Sequence, residues 1–286
     1  MLQGVTELFP VSSLGHSVIV PALFGWDQVV SQQSASESSF LAFLVGLHVA
    51  TALALLVYFR EDWIRIVKAF FHTLWTRRAE TPDERLAWLL IVGTIPVGIT
   101  GLLLEHVLRV LFAKPFAASL FLLANGIVLF AGERLRRRSE VRVLAVGHVG
   151  QGREPARSLE TLEYREAGVI GVFQTFALLA GISRSGITIV AGLLRGLDHE
   201  DAARFSFLLA TPVILAAGVY KLPDLAGPLG NGIRGQVLAG SVAAGVSAYL
   251  SVRFLMRWFE TRTLTPFAVY CVVAGSLAAM YFGVIR

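Results

Sequence analysis

Gln3-Gly4-Val5-Thr6-Glu7-Leu8-Phe9-Pro10-Val11-Ser12-Ser13-Leu14-Gly15-His16 stands at the head of the chain. Gln174-Thr175-Phe176-Ala177-Leu178-Leu179-Ala180-Gly181-Ile182-Ser183-Arg184-Ser185-Gly186-Ile187-Thr188 returns to the same kind of composition past its middle. Each stretch sets charged and hydroxyl side chains inside otherwise apolar sequence. Residues 1–26 and 167–199, which contain them, are long enough to enter a bilayer. Both are broken midway by Ser, Gly and a charge, so each half is too short to cross. Such a pattern reads as a re-entrant hairpin, whose irregular backbone is tolerated only when buried in protein or lining a cavity. An ionisable residue held there is costly without a partner and a function.

The remaining sequence supports that setting. Hydrophobic residues make up 55% of the 286 residues and charged ones 16%, against roughly a quarter charged in a soluble domain. Mean hydropathy is +0.66. Six stretches reach the ~20 apolar residues that a crossing needs: 38–59, 87–104, 115–133, 202–222, 236–256 and 266–284. Trp26, Trp63, Trp75, Trp88 and Trp258 fall near the ends of apolar stretches, where aromatic belts sit. Cys271 is the lone cysteine, so no internal disulfide forms. A cleaved signal peptide is not expected, because residues 1–26 lack a basic start and are interrupted by Glu7 and His16. The pI near 9.7 reflects basic loops rather than nucleic-acid binding.

Those loops set an orientation. Arg60, Arg65, Lys68, Arg77, Arg78 and Arg85 follow the first span. Arg134, Arg136, Arg137, Arg138, Arg142, Arg153, Arg157 and Arg165 follow the third, and Arg253, Arg257 and Arg262 the fifth. The intervening loops hold only Arg109, Lys114, Lys221 and Arg234. Basic loops after odd spans place them in the cytoplasm and both termini outside. Residues 61–78 read as an amphipathic surface helix with Trp63, Val67, Phe70, Phe71, Leu74 and Trp75 on its apolar side and Arg65, Lys68 and His72 opposite. The stretch 134–166 reads as a basic cytoplasmic linker, its polar part 139–166 being mobile.

Sliding the chain by 171 residues sets Ser12-x-x-Gly15 on Ser183-x-x-Gly186. Upstream, Gly4-Val5-x-Glu7 resembles Gly171-Val172-x-Gln174. Hairpin plus three spans is followed by hairpin plus three spans. Three is odd, so the second copy is inverted in the membrane. The expected fold is therefore an all-α polytopic membrane protein of two inverted-topology repeats, each a re-entrant helical hairpin plus three transmembrane helices. The first repeat covers 1–133 and the second 167–286, within one membrane domain. Inverted repeats with broken helices bind at the midplane.

In each hairpin a serine pair precedes an apolar helical run, and Ser is a favoured N-cap. Free N–H groups and partial positive charge at two such helix ends suit an anion, phosphate above all. Arg184 stands at one end, and its planar fork suits phosphate better than Lys would. Ser12, Ser13, Ser183 and Ser185 either serve that site or merely cap and pack the helices. Gln3 and Glu7, spaced i, i+4, share a helix face. Glu7 is a general base, a metal ligand or the counter-charge of Arg184. His16 is a nucleophile, a proton donor or a packed hydrogen-bonding residue. His48 and Asn125 lie within spans without a motif and read as interhelical hydrogen-bonding residues.

Glu7-Leu8-Phe9-Pro10-Val11-Ser12-Ser13-x-Gly15-His16 and Gly181-x-Ser183-Arg184-Ser185-Gly186-x-Thr188 resemble the two signature motifs of the bacterial undecaprenyl-diphosphate phosphatases of the BacA/UppP family. Thr94-Ile95-Pro96-Val97-Gly98, Phe205-Ser206-Phe207-Leu208-Leu209-Ala210-x-Pro212 and Pro266-Phe267-Ala268-x-Tyr270 resemble further family segments. The resemblance implies hydrolysis of undecaprenyl diphosphate to undecaprenyl phosphate and inorganic phosphate. That reaction recycles the lipid carrier for cell-wall synthesis and confers bacitracin resistance. It implies a polyprenyl diphosphate lipid partner, a multi-pass protein of the bacterial inner membrane, and a site open to the extracytoplasmic side.

By position, the resemblance gives Glu7, Ser13, His16 and Arg184 catalytic roles and makes Ser12, Ser183, Ser185 and Thr188 phosphate ligands. Gln3 and Glu7 would hold a divalent cation, Mg²⁺ or Ca²⁺. The family's mechanism leaves the nucleophile open between His16 and Ser13; His16 is favoured as nucleophile or essential acid-base group, with Ser13 orienting the phosphate. Ala180 stands where relatives have Pro, Leu14 where a small polar residue is common, and Cys271 where many have Arg. Relatives usually carry a longer stretch before the first motif, which puts Gln3 at a frayed helix end.

A lipid-phosphate transporter or flippase would use the same mid-membrane anion site. The crowd of proton-transfer groups at the site argues for an enzyme. An intramembrane serine protease is disfavoured. Gly181-Ile182-Ser183-Arg184 is not its Gly-x-Ser-Gly turn, and a phosphate-clamping Arg would have no role there.

Overall fold

The computed structural model describes residues 1–26, 39–112, 114–146, 157–227 and 232–285. The described chain is helical, and its one β-type contact is an isolated bridge between Arg157 and Leu197. The first apolar region divides into α1 (Leu2–Thr6) and α2 (Ser13–Leu23). Then come α3 (Ser39–Tyr58), α4 (Arg60–Thr76), α5 (Pro82–Phe112) and α6 (Pro115–Val146). The second half repeats the order: α7 (Tyr164–Thr175) and α8 (Arg184–Leu194), then α9 (His199–Ala226), α10 (Arg234–Phe259) and α11 (Thr265–Met280).

Helices α5, α6, α9, α10 and α11 are each long and apolar enough to cross a membrane. Helix α3 joins them when counted with α4, from which it is bent by 87°. The six expected spans therefore coincide with α3, α5, α6, α9, α10 and α11. Helices α2 and α8 are apolar but have only 11 residues each, about 16 Å at 1.5 Å per residue. Neither crosses alone, so the two hairpin turns end inside the protein.

Packing relates the halves. The equivalent first spans α3 and α9 lie against each other, as do the equivalent third spans α6 and α11. Each hairpin's first helix packs on the second span of the opposite half, α1 on α10 and α7 on α5. The fit depends on matched glycines. A Cβ at Gly4 would collide with the carbonyl oxygen of Ala244 on α10, and one at Gly171 with that of Gly93 on α5. These are the two glycines that the sequence comparison superposes.

Two readings change. The stretch 139–166 is not one mobile linker. Arg134–Val146 continues helix α6, and residues 147–156, with Arg153, lie outside the described residues. From Arg157 the chain is packed. The Arg157 guanidinium donates to both carboxylate oxygens of Glu166 at 2.9 and 3.1 Å and to the Arg195 carbonyl at 2.9 Å. Leu162 is fully buried. Composition alone missed this because one arginine gathers the polar groups of three segments.

The second change concerns α4, whose apolar side is double. Ile66 and Thr73 are buried, and Trp63 and Phe70 pack on the core. Ile64, Val67, Phe71, Leu74 and Trp75 face outward. The sequence merged these two stripes because they adjoin on the helix surface.

Candidate active site

The hairpin turns meet tip to tip. Ser12 caps α2, its Oγ accepting from the Gly15 amide at 3.2 Å. Ser183 caps α8 in the same way, accepting from the Gly186 amide at 3.2 Å. Each turn also touches the other. The Gly181 amide donates to Ser12 Oγ at 3.2 Å, and Ser185 Oγ donates to the Phe9 carbonyl at 3.2 Å. Asn125 on α6 spans both turns. Its Nδ2 donates to the Pro10 carbonyl at 3.0 Å, and its Oδ1 accepts from the Ser183 amide at 2.9 Å. The reading of Asn125 as a structural hydrogen-bonding residue fits this geometry.

Beside the junction lies a cavity of about 140 Å³, lined by Glu7, Ser12, Ser13, His48, Ser183 and Arg184 among others. Glu7 is its hub. One carboxylate oxygen accepts from Arg184 Nη2 at 2.9 Å. The other accepts the Ser13 hydroxyl and lies 3.3 Å from His48 Nε2. The side chains of Glu7 and Arg184 are only 8% and 12% exposed. A buried pair of this kind is hard to break, since removing one partner strands the other charge at a cost of about 3–5 kcal/mol. Arg184 Nη1 is buried without a hydrogen-bond partner. Half of the fork is thus held by Glu7, and the other half is left to donate to an anion.

His48, read from the sequence as an interhelical hydrogen-bonding residue, does make such a contact, with Glu7, but the sequence reading did not place it at the site. Its Nδ1 faces the Leu44 carbonyl at 2.8 Å, which turns Nε2 to Glu7. The available signal was an ionisable residue in mid-span. What hid it was the absence of a motif, because α3 carries it to the site from another part of the chain.

The other expected site residues divide. His16 does not line the cavity. Its Nδ1 is 2.6 Å from the Ser12 carbonyl and its Nε2 is 2.7 Å from the Tyr270 hydroxyl, with the two rings stacked. Nδ1–H donating to the carbonyl leaves Nε2 to accept the tyrosine proton, so both nitrogens are engaged. Thr188 Oγ1 pairs with Ser206 Oγ at 2.6 Å and with the Arg184 carbonyl at 2.7 Å. Neither Ser185 nor Thr188 lines the cavity. Both fasten α8 to its surroundings. Ser12 and Ser183 do border it, although their Oγ atoms serve as caps.

Gln3 lies in an adjoining apolar cavity of about 240 Å³, which shares Thr6 and Ser13 with the first. Its Oε1 accepts from Thr51 at 3.1 Å. The donor set fits a resident divalent cation poorly. Glu7 is the sole carboxylate lining the cavity, both its oxygens are engaged, and the Arg184 charge stands beside it. Among the described residues no three His, Cys, Asp or Glu side chains converge.

Comparison with known proteins identifies relatives along nearly the whole chain. Residues 1–277 match the family model described as "Bacitracin resistance protein BacA". The chain is 59% identical to "Undecaprenyl-diphosphatase 2" of Frankia alni, over 99% of this chain and 96% of that one. It is 61% identical to "Undecaprenyl-diphosphatase" of Mycolicibacterium paratuberculosis, over 98% and 93%. A more distant relative, "Undecaprenyl-diphosphatase 2" of Chromobacterium violaceum, is 43% identical over 98% and 95%. With a family match over nearly the whole chain and relatives 59% and 61% identical along almost their full length, this protein belongs to the bacitracin resistance protein BacA family.

Proposed function

We propose that this chain hydrolyses undecaprenyl diphosphate to undecaprenyl phosphate and inorganic phosphate, and so contributes to bacitracin resistance and to carrier recycling for the cell wall. The observation that carries the reading is the buried cluster in which Glu7 joins the Ser13 hydroxyl, Arg184 and His48, with one guanidinium nitrogen left unpaired. A lipid-phosphate carrier needs the cation and the helix ends. It has no use for a hydroxyl already hydrogen-bonded to a carboxylate.

The chemistry follows from the contacts. Arg184 Nη1 and the N-terminal amides of α2 and α8 hold the diphosphate, whose charge grows on its oxygens as the bond breaks. Glu7 takes the proton as Ser13 Oγ attacks the terminal phosphorus. The phosphorus–oxygen bond to the lipid phosphate breaks, and undecaprenyl phosphate leaves with the bridging oxygen. Water then attacks the phosphoserine, and Glu7, with His48 beside it, moves the proton that restores the Ser13 hydroxyl. Ser13 thereby takes the role that the sequence reading gave to His16. Its hydroxyl borders the cavity and meets the base, whereas the imidazole of His16 is spent on Ser12 and Tyr270.

No step is routed through a metal. A hard cation here would draw most of its ligands from the diphosphate oxygens rather than from Glu7 and Gln3. We take the site to open to the extracytoplasmic side, a reading supported by the orientation that basic loops after odd-numbered spans give the chain.

Phosphate release by purified protein from undecaprenyl or farnesyl diphosphate tests the reading, with and without chelator. Release of phosphate, with an acid-quenched phosphoserine at Ser13, supports it. Lipid translocation without phosphate release would favour the carrier. An acid-labile, base-stable adduct on His16 would return the nucleophile to histidine, and loss of turnover under chelation restored by Mg²⁺ or Ca²⁺ would bring the cation into the reaction.

A further inference from the structure

Helix α4 lies nearly perpendicular to the span that precedes it. One of its faces packs on the protein and the other does not. The outward residues Ile64, Val67, Phe71, Leu74 and Trp75 recur at helical spacing, and Phe71 and Trp75 are 64% and 91% exposed. A helix that crosses no bilayer yet shows a continuous apolar stripe beside basic residues lies in a membrane interface.

At the C-terminal end of α4 the protein forms an open groove of about 530 Å³, between that helix and the starts of α5 and α7. Leu74 and Val92 give it an apolar floor. Trp88 and Tyr164 give it aromatic walls, and Arg77 and Arg78 stand at its rim. The Trp88 indole N–H is spent on Thr73 Oγ1 at 3.1 Å, so the side chain presents its ring to the groove.

The two arginines differ from three other arginines of the protein. Arg65 is paired with Asp62, Arg137 with Glu133 and Arg157 with Glu166. Arg78 has only a loose, exposed pair with Glu80 at 3.6 Å. Arg77, whose left-handed backbone at φ 56° ends the helix, has no acidic partner among the described residues. One guanidinium without an acidic partner and a second held only loosely, over an apolar floor, call for an amphiphile with an anionic head. Free phosphate would meet the rim and leave Leu74, Val92 and the aromatic rings in water.

We infer that this groove binds the headgroup of an anionic phospholipid, with the first carbons of its chains on the apolar floor, from the leaflet that α4 lies in. The groove shares no lining residue with the hairpin cavity, so it is a second lipid site and does not depend on the reaction proposed above. Its function is to anchor α4, and with it the base of α7, to the membrane surface.

The test is native mass spectrometry of protein released from nanodiscs of phosphatidylcholine doped with phosphatidylglycerol. The wild type should retain phosphatidylglycerol over phosphatidylcholine by roughly tenfold or more, the scale of two basic side chains at an anionic surface. Arg77→Gln/Arg78→Gln should abolish that preference, and Leu74→Glu, which charges the floor negatively, should abolish it independently. Arg134→Gln/Arg138→Gln removes the same charge from exposed positions elsewhere and should leave the preference intact. Polyprenyl-diphosphate turnover in neutral detergent checks that each variant is folded. Retained preference in the Arg77/Arg78 variant would overturn the site, as would equal loss in the Arg134/Arg138 control. Displacement of the lipid by millimolar inorganic phosphate would make it a phosphate site instead.

Discussion

The two hairpins share a frame and differ in chemistry. In both, a serine caps the second helix and accepts from the glycine amide three residues on. In both, the residue after the cap borders the cavity, Ser13 in the first and Arg184 in the second. Where the first hairpin has Glu7, the second has Gln174, a neutral amide that lies fully buried with its Nε2 near the Gly93 carbonyl at 3.4 Å. The first hairpin thus carries the proton acceptor and the hydroxyl, and the second the cation. The turns differ too. The first bends through Ser12 itself at φ 69°, whereas the second leaves the left-handed conformation to Gly181. A left-handed non-glycine costs about 1–3 kcal/mol and persists only where its surroundings enforce it. Here the strain sits on the side of the junction that carries the hydroxyl. One scaffold used twice, each copy charged at a point where the other is neutral, gives a site that neither half contains alone.

Variants can break this division of labour. The largest expected effect is Ser13→Ala, which removes the nucleophile. Turnover should fall by at least about a thousandfold, ~4 kcal/mol in barrier, in a phosphate-release assay. Retention of a tenth of wild-type turnover would mean that the first hairpin supplies something else. Next are the paired glycines. Gly4→Ala and Gly171→Ala should each lower stability by about 1–3 kcal/mol, since each Cβ meets the backbone of the opposing span. Their melting temperatures should drop by similar amounts. A drop in one alone would show that the two hairpins are seated differently.

Arg184→Lys sharpens the comparison on the second hairpin. It keeps the charge and loses the fork, so turnover should fall by at least about tenfold, ~1.4 kcal/mol. Near-wild-type turnover would reduce Arg184 to a point charge. The smallest effect belongs to Thr188→Ala. It loses the hydrogen bond to Ser206, worth about 1 kcal/mol, so thermal stability should fall while turnover stays within about twofold. A large loss of turnover would place Thr188 on the phosphate after all.

The hairpins were legible in the sequence because charge and hydroxyl groups inside an apolar run admit few explanations. The repeat could be read for a related reason: Gly4 and Gly171 occupy positions where backbone must touch backbone, and only glycine fits. His48 was not legible as a site residue, nor Thr188 as a structural one. On sequence His48 is a single polar residue in a span and Thr188 the last residue of a motif, and the role of each depends on what faces it.

The sequence by itself determined that the chain is a helical membrane protein with two broken helices, which residues cap them, and that an arginine and a glutamate must lie buried. Local composition and spacing decide these things, because bilayer and helix impose their periods on every segment alike. Only the tertiary structure decided the rest. It set Glu7 of one hairpin against Arg184 of the other, brought His48 from α3 to the same carboxylate, and turned His16 to Tyr270, 254 residues away. It also folded the start of the second half around Arg157. The direction of a side chain follows from which helices pack around it, and those partners come from distant parts of the chain.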